Sequence, residues 1–114
     1  MEGVRRMAVQ VLTDKTYEEF VASEKLVLVE FWARWCSYCK LMEPILAELS
    51  EEYRNRVTIA TVDVETETGT AERLNVQGLP TLLLYRNGRL LGQVNGFVPK
   101  ETLTAELLDK ALQL

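Results

Sequence analysis

Cys36 and Cys39 are the only cysteines in the chain, and two residues stand between them. Two thiols at that spacing can exchange electrons with another disulfide, share a metal ion, or staple a loop. Stapling is the weakest use, because a bridge over so few residues removes little entropy from the unfolded chain. A structural zinc site needs four ligands, usually Cys or His. The chain has no histidine and no third cysteine, so a metal would have to be shared between two chains. Thiol–disulfide chemistry is the favoured reading, with a pair of buried, inert cysteines as its main competitor. The lack of histidine also removes the commonest general base. Proton transfer is left to carboxylates, thiols, lysines, tyrosines or water.

The elements that must position this pair can be read from hydrophobic patterning. Residues 26–32 (LVLVEFW) are a near-continuous apolar run, the look of a central strand covered on both faces. The run leads through Trp35 into Cys36, and a helical pattern follows with Leu41, Ile45, Leu46 and Leu49 as its expected apolar stripe. Pro44 lies inside that helix, beyond the first turn, where a kink is expected. Residues 7–12 read as a first strand, and Thr13 or Asp14 can cap a helix carrying Tyr17, Phe20 and Val21 on one face. Residues 57–64 (VTIATVDV) give a third strand, followed by a short helix with Ala71 and Leu74. Residues 81–85 (TLLLY) and 89–94 are joined by Asn87-Gly88, a hairpin signal that makes the last strand antiparallel. Pro99 opens a final helix with Leu103, Leu107, Leu108 and Leu112 along one stripe. Strands alternating with helices and closed by a hairpin predict an α/β domain with a mixed sheet.

This order places Cys36 where a central strand gives way to a helix. Active sites of open α/β sheets sit beyond the carboxyl ends of strands. A helix N-terminus offers unpaired N–H groups and partial positive charge, and both stabilise a thiolate. Cys36 is therefore expected to attack and Cys39, one turn further in, to resolve. Glu30 is the only charged residue between Leu26 and Ala33. It either marks a solvent-exposed strand end or is a buried carboxylate beneath the cysteines. Burial would raise its pKa and suit it to trade a proton with Cys39. Trp32 reads as core packing, Trp35 as a surface residue beside Cys36, and Tyr38 as exposed on the first helical turn. Residues 65–70 read as a solvated helix start.

Composition narrows the partners. The chain has 114 residues and a formal charge of −4, with acidic and basic residues interspersed. One domain spanning residues 1–114 is expected, with residues 1–6 a loosely ordered extension. Without a basic tract, nucleic acid and anionic membranes are not expected partners. No apolar run is long enough to span a bilayer. The first ten residues carry Arg5 and Arg6 but no apolar stretch after them. They do not read as a signal peptide, so a cytoplasmic location is the default.

Several separated motifs resemble the thioredoxin family. They are Phe31-Trp32-Ala33-x-Trp35-Cys36, then Lys40 and Pro44, then Gly78-Leu79-Pro80-Thr81, Asn87-Gly88 and Gly96. Their order and spacing match over nearly the whole chain. The resemblance implies the thioredoxin fold, a central mixed β-sheet flanked by helices on both sides. It implies a protein disulfide reductase acting by dithiol–disulfide exchange, without a cofactor or metal. An oxidase or isomerase of more oxidising potential, or a redox-inert docking module, stands as the alternative. Cys36 then matches the nucleophile, Cys39 the resolving cysteine and Trp35 the aromatic beside them. Pro80 matches the family's cis-proline, which helps hold the substrate backbone. Gly78, Leu79 and Gly96 match the apolar docking surface. The implied partners are disulfide-containing proteins and a thioredoxin reductase as electron donor, and the chain is expected to be a monomer. Ser37-Tyr38 stands where many members have Gly-Pro, Glu30 where they have aspartate, and Thr61 where they have lysine. Asn95 and Phe97 replace smaller or more apolar residues of the docking surface.

Overall fold

The computed structural model describes residues 9–113. In chain order the elements are β1 (Val9–Val11), α1 (Tyr17–Ser23), β2 (Leu26–Trp32), α2 (Ser37–Glu52), β3 (Thr58–Asp63), α3 (Thr68–Arg73), β4 (Thr81–Arg86) and β5 (Arg89–Asn95). The last helix, α4, is made of α-helical Lys100–Leu103, a π-helical turn Thr104–Leu108 and α-helical Asp109–Leu112. The expected extension at residues 1–6 and the expected strand start at Met7 lie outside the described residues.

The five strands form one sheet in the order β1-β3-β2-β4-β5. β3 runs parallel to β1 and β2, while β4 is antiparallel to β2 and to β5. This is the mixed sheet that the alternation of elements predicts. The tight hairpin between β4 and β5 follows from Asn87 and Gly88, both at positive φ (50° and 84°). Those angles suit a turn of the primed type, whose twist matches that of the strands.

Successive strand residues face opposite sides, and β2 divides cleanly on that rule. Leu26 and Leu28 pack with Met42, Leu46 and Leu49 of α2 and with Leu103 and Leu108 of α4. Val27, Val29 and Phe31 pack on the other side with Tyr17 and Val21 of α1 and Ala71 of α3. The central strand is thus covered on both faces. By the same parity, Glu30 falls on the α2 side.

The stripe of α2 differs from the expected one. Cys39, Met42, Leu46 and Leu49 are buried, whereas Leu41 is exposed. Steps of three, four and three from Cys39 keep one face of a 3.6-residue helix, and Leu41 falls to the side of it. The helix runs unbroken through Pro44. In α4 the π-helical turn lengthens one step of the stripe to five residues. Leu103, Leu108 and Ala111 are fully buried, and Leu107 and Leu112 pack at the margin. Among the described residues no helix is long and apolar enough to cross a membrane.

Candidate active site

Strand register gathers the site at one end of the sheet. Trp32, the last residue of β2, pairs with Asp63 at the end of β3. On the other side Phe31 pairs with Thr81, and Thr81 with Asn95. The segment carrying Trp35 and Cys36, the residues before Thr81 and the residues after Asn95 therefore all emerge together.

Cys36 is the N-cap of α2, and its sulfur accepts a hydrogen bond from the backbone N–H of Cys39 at 3.2 Å. An N-cap side chain ordinarily satisfies that donor with an oxygen. Here a sulfur takes the place, so the orphan N–H and the positive end of the helix both favour negative charge on it. Cys36 and Cys39 are joined as a disulfide, with their Cα atoms 5.3 Å apart. Both are buried in this state. Among the described residues no group of three or more potential metal ligands comes together.

Beneath the disulfide lies a cavity of about 570 Å³. The floor is Val9 and Val11 of β1, Glu30 and Trp32 of β2, and Thr61 of β3. The roof is Cys39, Lys40, Glu43, Leu46 and Ala47 of α2, with Arg34 at the side. Glu30 is only 4% exposed, and its Oε2 has no hydrogen-bond partner among the described residues. Burial, reinforced by the negative charge of Glu43, pushes its pKa up to about 8. Thr61 sits directly across the ladder from Glu30, so no cation arrives from β3 to offset that. The buried alternative for Glu30 is the one the structure adopts. Glu30 and Cys39 share one cavity.

The other expected site residues lie at the same end of the sheet as the disulfide. Trp35 is exposed, and its indole N–H donates to Glu65 Oε2 at 2.9 Å. The Leu79–Pro80 bond is cis. Pro80 is held to the neighbouring loop, its carbonyl accepting from the Gly96 N–H at 2.7 Å. Thr81 Oγ1 donates to the Gly78 carbonyl at 2.6 Å and fixes the approach to Pro80. A Cβ added at Gly78 or Gly96 would meet no atom within 4 Å, so both face open space.

Two participants were missed in the sequence. Glu65, read as part of a solvated helix start, holds Trp35. Its signal was its place just beyond the end of β3, at the same sheet end as Cys36. Glu43 lies four residues after Cys39, on the same helix face, and this spacing could have flagged it. Tyr38 is exposed as expected, and it also stacks on Phe97, with ring centroids 6.3 Å apart and planes at 25°, a contact that no local pattern announces.

The thioredoxin family model matches residues 8–109. Thioredoxin of Alicyclobacillus acidocaldarius is 38% identical over 102 residues, covering 90% of this chain and 97% of that protein. Thioredoxins of Staphylococcus haemolyticus and Staphylococcus aureus are each 41% identical over 106 residues, covering 93% of this chain and all of theirs. With a disulfide at a helix N-terminus, a five-stranded mixed sheet and these likenesses, the chain belongs to the thioredoxin family and is a thiol–disulfide oxidoreductase, a protein disulfide reductase.

Proposed function

We propose that the reduced protein, acting as a monomeric single domain in the cytoplasm, passes two electrons to disulfides of other proteins and is reset by a thioredoxin reductase. The observation that carries the division of labour is the position of Cys36 as N-cap, its sulfur facing the Cys39 N–H, above the cavity shared by Cys39 and Glu30. The substrate segment lies against Trp35, Gly78, Leu79, Pro80 and Gly96. The Cys36 thiolate attacks one substrate sulfur, forming a mixed disulfide and expelling the other as a thiolate that takes a proton. Cys39 then gives its proton to the ionised form of Glu30 and attacks Cys36 Sγ. The Cys36–Cys39 bond forms, the mixed disulfide breaks, and the second substrate thiol leaves. Substrate is reduced by two electrons and the protein dithiol is oxidised.

The test is reduction of the interchain disulfides of insulin by the reduced protein. Cys36→Ser should abolish it. Cys39→Ser should accumulate mixed disulfides through Cys36, since nothing remains to resolve them. Full insulin reduction by Cys36→Ser, or equal trapping through Cys39 in that variant, would reverse the assignment.

A further inference from the structure

Large apolar side chains are left in water around the disulfide: Trp35 is 68% exposed, Tyr38 59% and Phe97 37%. The two sides of this surface are built differently. Trp35 is tied to a carboxylate, Glu65. On the other side Tyr38, which stands between the two cysteines, lies nearly parallel to Phe97, with ring centroids 6.3 Å apart. Phe97 follows Gly96, whose positive φ of 92° turns the chain and whose N–H is bonded to Pro80. The stack thus bridges the first turn of α2 and the strand end at Pro80. Leu41, one turn after Tyr38, is also exposed and extends the same side.

Mutual stacking does not bury these rings, since each keeps a large exposed area. A held aromatic pair loses little freedom on binding and has apolar surface to remove from water. It is continuous with the face where the cysteines exchange electrons. We propose that Tyr38 and Phe97 form a subsite for a large apolar or aromatic side chain of the substrate segment, two residues from its reacting cysteine. The spacing follows from extended backbone. Side chains two apart share a face and lie about 6.6 Å apart. Tyr38 follows Cys36 by two residues at the start of α2, so its backbone lies at a comparable reach from the reacting sulfur. The proposal rests on the substrate placement above and adds selectivity to it.

The test uses short blocked peptides with one cysteine held as a mixed disulfide with glutathione. Phe or Ala stands two residues before or after that cysteine. Each turnover yields the peptide thiol, glutathione and the Cys36–Cys39 disulfide, with both electrons coming from the protein dithiol. For the wild-type protein, kcat/KM for the Phe peptide should exceed that for Ala about five- to tenfold at one of the two positions, the range one aromatic contact supplies. In Phe97→Ala and in Tyr38→Ser the ratio should fall toward one, and Phe97→Tyr should retain it. Equal rates for Phe and Ala at both positions in the wild type, or a preference that survives both truncations, would overturn the proposal. Failure of the wild type to reduce the Ala peptides at all would instead strike the substrate placement, and this subsite with it.

Discussion

At neutral pH the Glu30 carboxyl holds its proton, because burial and the neighbouring Glu43 carboxylate push its pKa up to about 8. The charged or titratable side chains sharing its cavity are Arg34, Cys39, Lys40 and Glu43, with Thr61 facing it from β3. Only its ionised form can take the Cys39 proton. Resolution of the mixed disulfide is therefore expected to accelerate as pH rises toward 8 and then level off. Glu30→Gln removes the acceptor while keeping the shape. It should slow this step about 10²-fold or more, the usual worth of a positioned base, and abolish the rise. Glu43→Gln removes a repelling charge, lowers the Glu30 pKa, and should move the rise to lower pH. Single-turnover kinetics with attack and resolution resolved from pH 6 to 9 check both. An unchanged resolving step in Glu30→Gln would make Glu30 a structural residue only.

Among the elements, α3 depends most on help from elsewhere. It has six residues, and its own N-cap residue, Glu67, makes no side-chain cap. A helix that short is unstable alone. Asp14, from the turn after β1, supplies the cap: Oδ1 accepts from Thr70 N–H at 2.7 Å and Oδ2 from Gly69 N–H at 3.1 Å. Glu67 returns a bond to the Asp14 N–H at 2.8 Å. The sequence offered Thr13 or Asp14 as a cap for α1. Of the two, Thr13 organises that start, exchanging backbone-to-hydroxyl bonds with Thr16. The Thr70 hydroxyl and N–H hold the Asp14 carboxyl below its ordinary value. A lowered pKa means the stabilisation is present above the unfolded-state value and is lost as pH falls through the folded-state one. Asp14→Ala should lower Tm by a few degrees at pH 7 and speed amide exchange in α3. The Tm gap should close as pH drops below about 4, and a gap that persists there would rule out the ionised cap.

For the whole molecule, the buried carboxyl makes stability fall as pH rises above the acid range. Folding raises the Glu30 pKa from 4.5 to about 8, so between those values the folded state binds more protons than the unfolded. Stability contributed by the neutral carboxyl is present below pH 4.5 and is lost as pH rises through 8. The full loss is roughly 3–5 kcal/mol, since each tenfold change in proton affinity is worth about 1.4 kcal/mol. Urea unfolding of the disulfide form should therefore show Glu30→Gln gaining on the wild type from pH 5 to pH 9 by a few kcal/mol. Parallel stabilities across that range would mean the carboxyl is solvated.

Much was legible because it is local. The 26–32 run announced a strand covered on both faces, Asn87-Gly88 announced its turn, and Cys36 at a strand–helix junction announced the reactive pair. Strand and helix periods are short, and a turn or a helix N-terminus is built from adjacent residues. Parity along β2 already placed Glu30 on one face, opposite its neighbours Val29 and Phe31. What covers that face was not legible, because β1, β3 and α2 come from separate stretches of chain. Tertiary structure alone formed the cavity and brought Glu43 to Glu30 and Glu65 to Trp35. It also turned Asp14 away from α1 and stacked Tyr38 on Phe97. Each of these joins side chains whose proximity depends on strand register and on the packing of helices against the sheet, and no window of sequence contains both.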